Sequence, residues 1–187
     1  MITIVVSTRK KDSNFKQMLL KTVGLKDVQV LMYENNGEYS LPQIYNQGLI
    51  NSVFDIVVFL HDDIIMNTPN WGKKLLDNYK NNPEYGILGV AGSRELVDGR
   101  WWSEKAAAYG IVNHTDGKKT WKSEFSRGLG DNIQEVVVVD GVFFSVDKTK
   151  LKTNFNEEYK GFHFYDISFC LENYLSGVMV GVHTNIL

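Results

Sequence analysis

Cysteine is almost missing from this chain: Cys170 is the one thiol among 187 residues. An intrachain disulfide is therefore excluded, and the usage fits a reducing compartment. Cys170 lies in an apolar, helix-patterned stretch and reads as a small core residue. Long apolar runs are missing too, and none approaches the length of a membrane span. The N-terminus, Met1-Ile2-Thr3-Ile4-Val5-Val6, lacks the charged n-region and long h-region of a signal peptide. The expected location is the cytoplasm, with peripheral association at the inner face of the membrane as an alternative. There is no basic excess either: 20 Lys and Arg stand against 22 Asp and Glu, a net charge of −2. No basic stripe is visible, so a nucleic acid is not an expected partner. A phosphate-bearing ligand would have to be neutralised by a metal or by helix termini. Repeats, low-complexity segments and linkers are also lacking. With 43% hydrophobic residues, the chain reads as one globular domain over 1–187. It stops a few residues past its last expected strand, which leaves room for a missing C-terminal element.

What is present is an alternation of strand and helix patterns. Ile2–Ser7 is a short apolar run rich in β-branched residues, the pattern of a buried strand. Asp12 to about Thr22 has helical periodicity, stopped by Gly24. Val28–Tyr33 is a second strand. Ser40 and Gln43 form a capping-box pattern, with Pro42 in the tolerated first turn of a helix. Asp55–Leu60 is a third strand, Thr68-Pro69 is an expected N-cap and N1 pair for a helix reaching about Asn81, and Tyr85–Ala91 is a fourth strand. This order predicts βαβ units with right-handed crossovers and parallel strands. The second half differs. Ala107–Val112 and Thr120–Phe125 read as a hairpin, Ser126–Asn132 as a glycine-bearing loop, and Glu135–Val139 and Val142–Val146 as strands broken by Asp140-Gly141. Phe164–Ser176 reads as a helix stopped by Gly177, and Val178–Val182 as a last strand.

Ligands of such sheets bind beyond the carboxyl ends of the strands, and His61-Asp62-Asp63 falls at such an end. Two adjacent carboxylates are costly unless a positive partner meets them, and a divalent cation with oxygen ligands is the usual solution. A solvated acidic turn is the plain alternative. Asp140-Gly141 places a carboxylate beside bare backbone at the sheet rim, where glycine permits close approach of a ligand; a β-bulge is the plain alternative. Asp166, after Gly161-Phe162-His163-Phe164-Tyr165, sits near a helix N-terminus, where its charge is favoured.

The order and spacing of these motifs resemble the GT-A nucleotide-sugar glycosyltransferases, especially the family 2-like bacterial enzymes. The residues that carry the resemblance begin with Ile4-Val5-Val6-Ser7-Thr8-Arg9 and Tyr45-Asn46-Gln47-Gly48. Val57-Val58-Phe59-Leu60-His61-Asp62-Asp63 and Asp140-Gly141-Val142-Phe143-Phe144-Ser145-Val146 follow, then Phe155-Asn156-Glu157 and Gly161 to Ile167. The resemblance implies an α/β fold of GT-A, Rossmann-like type: a three-layer α/β/α sandwich with a mixed, mostly parallel central sheet. Residues 1–92 would bind the nucleotide and 93–187 would shape the sugar and acceptor side. Ser7, Thr8 and Arg9 would flank the nucleotide, and Glu34 would contact the base. Asp62 and Asp63 would stand for the DXD motif, Asp63 as metal ligand and Asp62 near the ribose or diphosphate while sharing the metal. Asp140 and Gly141 would line the sugar side, Asp166 would be the general base, and His183 would complete the metal shell. The implied cofactors are Mn²⁺ or Mg²⁺ and a nucleotide-sugar donor, a UDP-sugar first. The implied acceptor is a glycan or lipid-linked hydroxyl in bacterial surface glycan assembly. Three positions depart from the pattern: His61 replaces the first acid of the DXD-like motif, Tyr165 the common Glu beside the base, and Ser168 a second acid.

The chemistry suits these residue types. A bound metal stabilises the charge on a departing nucleoside diphosphate. A carboxylate that removes the acceptor proton contributes about 10²–10⁴-fold. Burial of Asp166 against Phe162, Phe164 and Tyr165 would make it more basic. Trp101-Trp102 could stack on sugar rings, or fold onto the core. Gly128-Leu129-Gly130-Asp131-Asn132 precedes a strand rather than a helix, so a P-loop mechanism does not apply. His114 sits in an expected turn without a role, and His163 either points into the site or serves an aromatic cluster. Lys10-Lys11 and Lys118-Lys119 read as solvated surface. Two alternatives stay open: a catalytically silent nucleotide-sugar-binding module, and a sugar nucleotidyltransferase, although Ser7 to Lys11 lacks the glycines expected of the latter.

Overall fold

The computed structural model describes residues 1–125 and 132–187; the loop expected at Ser126–Asn132 falls almost wholly outside them. Alternating burial explains the layers. In β1 (Ile2–Thr8), Ile2, Ile4 and Val6 face one helical layer and Val5 the other, as the two-residue period of a strand dictates. The first layer holds α1 (Ser13–Thr22) and α3 (Trp71–Asn81), which contribute Leu19, Trp71, Leu75 and Tyr79. The second holds α2 (Leu41–Asn51) and α4 (Tyr165–Leu175), which contribute Ile44, Tyr45, Tyr165 and Phe169. Between them, β3 (Ile56–Leu60) sends Val58 and Leu60 one way and Val57 and Phe59 the other. Each such fully buried side chain stabilises the fold by roughly 1.5–3 kcal/mol. The result is the expected three-layer α/β/α sandwich.

The central sheet runs β2-β1-β3-β10-β4-β11-β8, with β2 at Val28–Glu34, β4 at Tyr85–Gly89, β8 at Gln134–Val136, β10 at Phe143–Asp147 and β11 at Met179–Val182. The four strands of the first half are parallel, as the βαβ reading predicts. However, β10 lies between β3 and β4, antiparallel to both. This insertion carries the Asp140-Gly141 turn to the carboxyl end of β3, beside the acidic cluster.

A second sheet, β7-β6-β5-β9, grows from strands that change sheets. The expected strand Tyr85–Ala91 stops at Gly89, and β5 (Ala91–Ser93) continues in the second sheet. The expected strand Glu135–Val139 likewise divides into β8 and β9 (Val138–Val139). The hairpin exists as expected, with β6 (Ala108–Thr115) longer than read and β7 (Thr120–Phe125) as read.

Local signals held at two helices and moved at a third. Asp12 caps α1 through the Asn14 amide, and the Ser40–Gln43 capping box forms in full; a cap of this kind contributes about 1 kcal/mol. By contrast, α3 starts at Trp71, after Asn70 in left-handed conformation (φ 58°), and not at Thr68-Pro69. The Thr68 hydroxyl and amide are engaged with the Leu187 backbone at 2.7 and 2.9 Å. Gly72 then donates its N–H to the Val23 carbonyl, a close approach that a Cβ would block. Among the described residues no helix is long and apolar enough to cross a membrane.

Candidate active site

The site lies where β1, β3 and the β10 turn end together. On the β1 side, the Thr8 hydroxyl donates to the Lys10 carbonyl at 2.9 Å and accepts the Lys10 N–H at 3.3 Å. This turn bends the chain at the strand end, and Ser7 accepts a bond from the Asn35 amide at 3.4 Å. Thr8, Arg9, Lys10, Lys11 and Asp62 line one cleft of about 650 Å³ at the start of α1. Lys10 and Lys11 are exposed, as expected, and line the same cleft as Asp62. Glu34 is exposed at the end of β2, paired in register with Thr8.

Asp63 turns the other way. With His61 and Asp140 it lines a larger cavity of about 880 Å³, walled by the β6–β7 hairpin. The acidic pair therefore stands on the ridge between two cavities, one carboxylate in each.

Asp140 is held on both oxygens: Oδ2 accepts from Trp101 Nε1 at 2.9 Å and Oδ1 from the Val142 N–H at 2.8 Å. Trp101 is buried and Trp102 is 51% exposed, so the two readings of this dipeptide divide between its residues. Next in the turn, Gly141 donates its N–H to Asp166 Oδ2 at 2.8 Å and accepts the Tyr165 hydroxyl on its carbonyl at 3.3 Å. A Cβ on Gly141 would lie 2.1 Å from the Tyr165 oxygen. Glycine is required here by crowding, and the bulge reading is replaced by a cradle.

The Tyr165 hydroxyl also lies 3.2 Å from His61 Nε2. The same hydroxyl also bonds Tyr45, so its one proton has the Gly141 carbonyl, the Tyr45 oxygen and this nitrogen as partners, and the His61 tautomer decides which way the contact runs. Tyr165 is buried, and burial raises its pKa well above the phenol value, so it stays neutral. Two of the three departures from the family pattern are therefore in contact with each other. Ser168, the third, donates its N–H to the Phe164 carbonyl at 2.9 Å within α4.

Asp166 sits in the first turn of α4, which follows Phe164 in left-handed conformation (φ 66°). Burial first, and the nearby Asp140 charge second, raise its pKa to about 6, against the lowering effect of the Ile167 and Gly141 N–H groups. The direction matches the sequence expectation, although Phe162 and Phe164 remain 59% and 51% exposed. Tyr165 and the glycine cradle enclose it. A carboxylate with such a pKa is ionised at neutral pH yet basic enough to accept a proton.

His183 follows β11 and is wholly buried. Neither ring nitrogen has a hydrogen-bond partner among the described residues. Burial lowers its pKa to about 4, so the imidazole is neutral. Its ring centroid is 6.5 Å from that of Phe143, whose side chain lines the same cavity as Asp63. Among the described residues no three His, Cys, Asp or Glu side chains gather as a preformed metal cluster. Asp62 and Asp63 lie on opposite sides of their ridge, and His183 lies behind the cavity wall.

Other features joined motifs that the sequence shows only separately. Asn46 bonds reciprocally with Phe155, accepting its N–H at 2.9 Å and donating to its carbonyl at 2.9 Å, and donates to Glu157 at 2.8 Å. Gly48 lets α2 pack directly on Val5. His163 is exposed and packs edge-on to Phe162. His114 is not in a turn: it belongs to β6, stacks on Trp121 and bonds Ser123 at 3.0 Å. Its register with Trp121 could have been read from the hairpin; the His61–Tyr165 contact could not. The Gly128–Asp131 segment lies outside the described residues.

Comparison with known proteins places this geometry. A family model described as a glycosyltransferase-like family matches residues 6–185. No curated protein sequence matches the chain. Among solved structures, GalNAc-T7 with UDP, GalNAc and Mn²⁺ aligns with a TM-score of 0.63 at 8% identity, over 99% of this chain and 42% of that one. S. aureus TarS residues 1–349 in complex with UDP-GlcNAc aligns at 0.57 and 13% identity, over 98% and 56%. A197 from STIV aligns at 0.56 and 10% identity, over 99% and 82%. The chain thus spans about half the length of the first two. The fold is the GT-A fold, and the chain belongs to the glycosyltransferase-like family as a transferase domain of that architecture.

Proposed function

We propose that this domain transfers a hexosyl group from a UDP-sugar to an acceptor hydroxyl, with inversion and with help from a divalent cation. The observation that carries the reading is Asp166: a part-buried, weakly acidic carboxylate fixed by the Gly141 N–H at the meeting point of β3, the β10 turn and α4. The acceptor oxygen attacks the anomeric carbon, its proton passes to Asp166, and the nucleoside diphosphate departs from the opposite face. The neighbours crystallised with UDP, with UDP-GlcNAc and with Mn²⁺ support the donor class.

In this reading residues 1–92 hold the nucleotide. Ser7, Thr8, Arg9 and Asp62 border the diphosphate and ribose, and Glu34 lies at the base end. Residues 93–187 shape the sugar and acceptor side through Asp140 and Gly141. The side-chain types suit a hard divalent cation, but among the described residues the fold does not gather them: Asp62 and Asp63 line different cavities and His183 is wholly buried. Asp63 is the carboxylate assigned to the cation, substrate phosphates would complete its shell, and Asp62 and the neutral imidazole of His183 are the further ligands the reading names. When bound, Mn²⁺ or Mg²⁺ would offset charge on the leaving diphosphate. We assign the activity to bacterial surface glycan synthesis, at the cytoplasmic side, with a glycan or lipid-linked acceptor.

Calorimetry with a panel of nucleotide sugars, with and without Mn²⁺, paired with an assay for nucleotide release tests the reading. Binding with release supports it. Binding without release makes the domain a silent module, turnover of a sugar phosphate with a nucleoside triphosphate makes it a nucleotidyltransferase, and no binding overturns it.

A further inference from the structure

The 880 Å³ cavity has a wall that the donor side does not use. Strand pairing sets His114 opposite Trp121, Val112 opposite Ser123 and Gly110 opposite Phe125. In a pleated antiparallel pair, directly opposed side chains share a face. Val112, His114, Ser123 and Phe125 on this face are partly buried and line the cavity, as Trp121 does, while Asn113, Thr115, Thr120 and Lys122 on the other face are exposed, so this is the face that the hairpin turns inward.

That face is ordered by its own contacts. The His114 and Trp121 rings stack at 5.3 Å and 11°, and Ser123 fixes the imidazole at 3.0 Å. Trp121 is nevertheless 52% exposed and Trp102 51%. Trp102 stands edge-on to Trp101 at 5.8 Å, and Trp101 is bonded to Asp140. Two large rings held in place, with open indole surface on the cavity that Asp63 and Asp140 also line, form a built platform.

The lining chemistry selects the occupant. Hydrogen-bonding side chains line the same cavity as the rings: Asn67 and Lys105, with Asn113 and Thr115 from the other face of the hairpin at its edge. An alkyl chain would strip water from these groups without bonding them, which costs free energy. A pyranose ring matches both halves. Its C–H face packs on the electron-rich indole face, and its hydroxyls reach the amides and hydroxyls at the edges. We propose that the inner face of the β6–β7 hairpin, with Trp121 and Trp102 as stacking surfaces, is the acceptor subsite, and that the acceptor is a saccharide bound through its sugar rings. This rests on the transferase reading above and names its acceptor class.

The test uses the whole domain with UDP and Mn²⁺ present. Its probes are an array of soluble oligosaccharides of two to six hexose and N-acetylhexosamine rings, and vesicles carrying polyprenyl phosphate. The expected result is binding to a subset of oligosaccharides, weakened roughly tenfold by Trp121→Ala and by Trp102→Ala, the loss of one stacking contact. Trp121→Phe keeps a ring and restores most of the affinity, which separates stacking from misfolding. UDP affinity, read by calorimetry on the same samples, stays within about twofold. Saccharide binding that is indifferent to both alanine variants overturns the proposal, as does binding to the vesicles alone or to neither probe while UDP still binds. If UDP itself fails to bind, the transferase reading fails instead.

Discussion

His61 Nε2 and the Tyr165 hydroxyl lie 3.2 Å apart, and this contact ties the end of β3 to the start of α4. Tyr165 passes the connection to Gly141, and Gly141 passes it to Asp166. The end of the acidic cluster at His61 and the Asp166 carboxylate are thereby held in one network without a further carboxylate. Tyr165→Phe removes the shared hydroxyl and leaves the Gly141 carbonyl without that donor. A loss of about 1–2 kcal/mol in stability is expected, with transfer reduced about tenfold. Denaturant titration and steady-state kinetics measure both. An unchanged rate would show that the network does not position the base.

The pH profile follows from Asp166. Its pKa of about 6 places the acidic limb of kcat/KM near pH 6, because the protonated acid cannot accept the acceptor proton. Asp140 raises that pKa by its charge; Tyr45, Tyr165 and Cys170, packed on the same helix, are neutral at this pH, each pushed up by burial. Asp140→Asn removes the negative neighbour and should move the limb to lower pH, whatever its effect on the maximal rate. A limb that stays in place, or moves up, would contradict the electrostatic account.

Stability carries the same sign. Asp166 is bound to its proton more firmly in the folded chain than in the unfolded one, where the pKa is 3.8. Its contribution is therefore full below pH 3.8 and is lost as pH rises through about 6. Above that, the part-buried charge costs at most on the order of 3 kcal/mol, less whatever solvent screens. Asp166→Asn keeps an acceptor for the Gly141 N–H and removes the charge. Its melting temperature should match wild type near pH 4 and exceed it increasingly toward pH 7. A variant equally or less stable at pH 7 would argue against a part-buried, costly carboxylate.

Gly141 offers a steric test. A methyl group there would overlap the Tyr165 hydroxyl, so Gly141→Ala must displace α4 or the β10 turn. Overpacking of this kind typically costs 1–3 kcal/mol, and transfer should fall more steeply than in Tyr165→Phe because Asp166 moves too. Paired with Tyr165→Phe, the damage should be partly relieved on thermal denaturation; strictly additive losses would mean that the two residues do not compete for the same space.

Much of this was legible in the residues, and the part that was not has a common cause. The first half of the sheet follows local signals: β-branched runs, a capping box, a glycine stop. The His61-Asp62-Asp63 strand end, the Asp140-Gly141 turn and the Asp166 helix start follow the same kind of signal. The insertion of β10 between β3 and β4 does not, because pairing partners distant in sequence are chosen by whole-sheet packing. The strands that cross between sheets at Val90 and Val137 keep an unbroken apolar pattern, so periodicity cannot reveal the break. Thr68-Pro69 looks like a cap, but its hydroxyl is claimed by Leu187, a long-range partner. His61 and Tyr165 each read as a departure from a pattern, and only the fold shows them as one contact. The turn expected at His114 is different: its partner Trp121 extends the ladder of the same hairpin, so the longer strand was legible from local register.

The central claim is that Asp166 is the base of a nucleotide-sugar transferase. Its most direct measurement is UDP release from UDP-GlcNAc with Mn²⁺, alongside calorimetric UDP-GlcNAc affinity, for wild type and Asp166→Asn. The account predicts affinity within about twofold and release reduced by at least about 10²-fold. Equal release from the two proteins would contradict it.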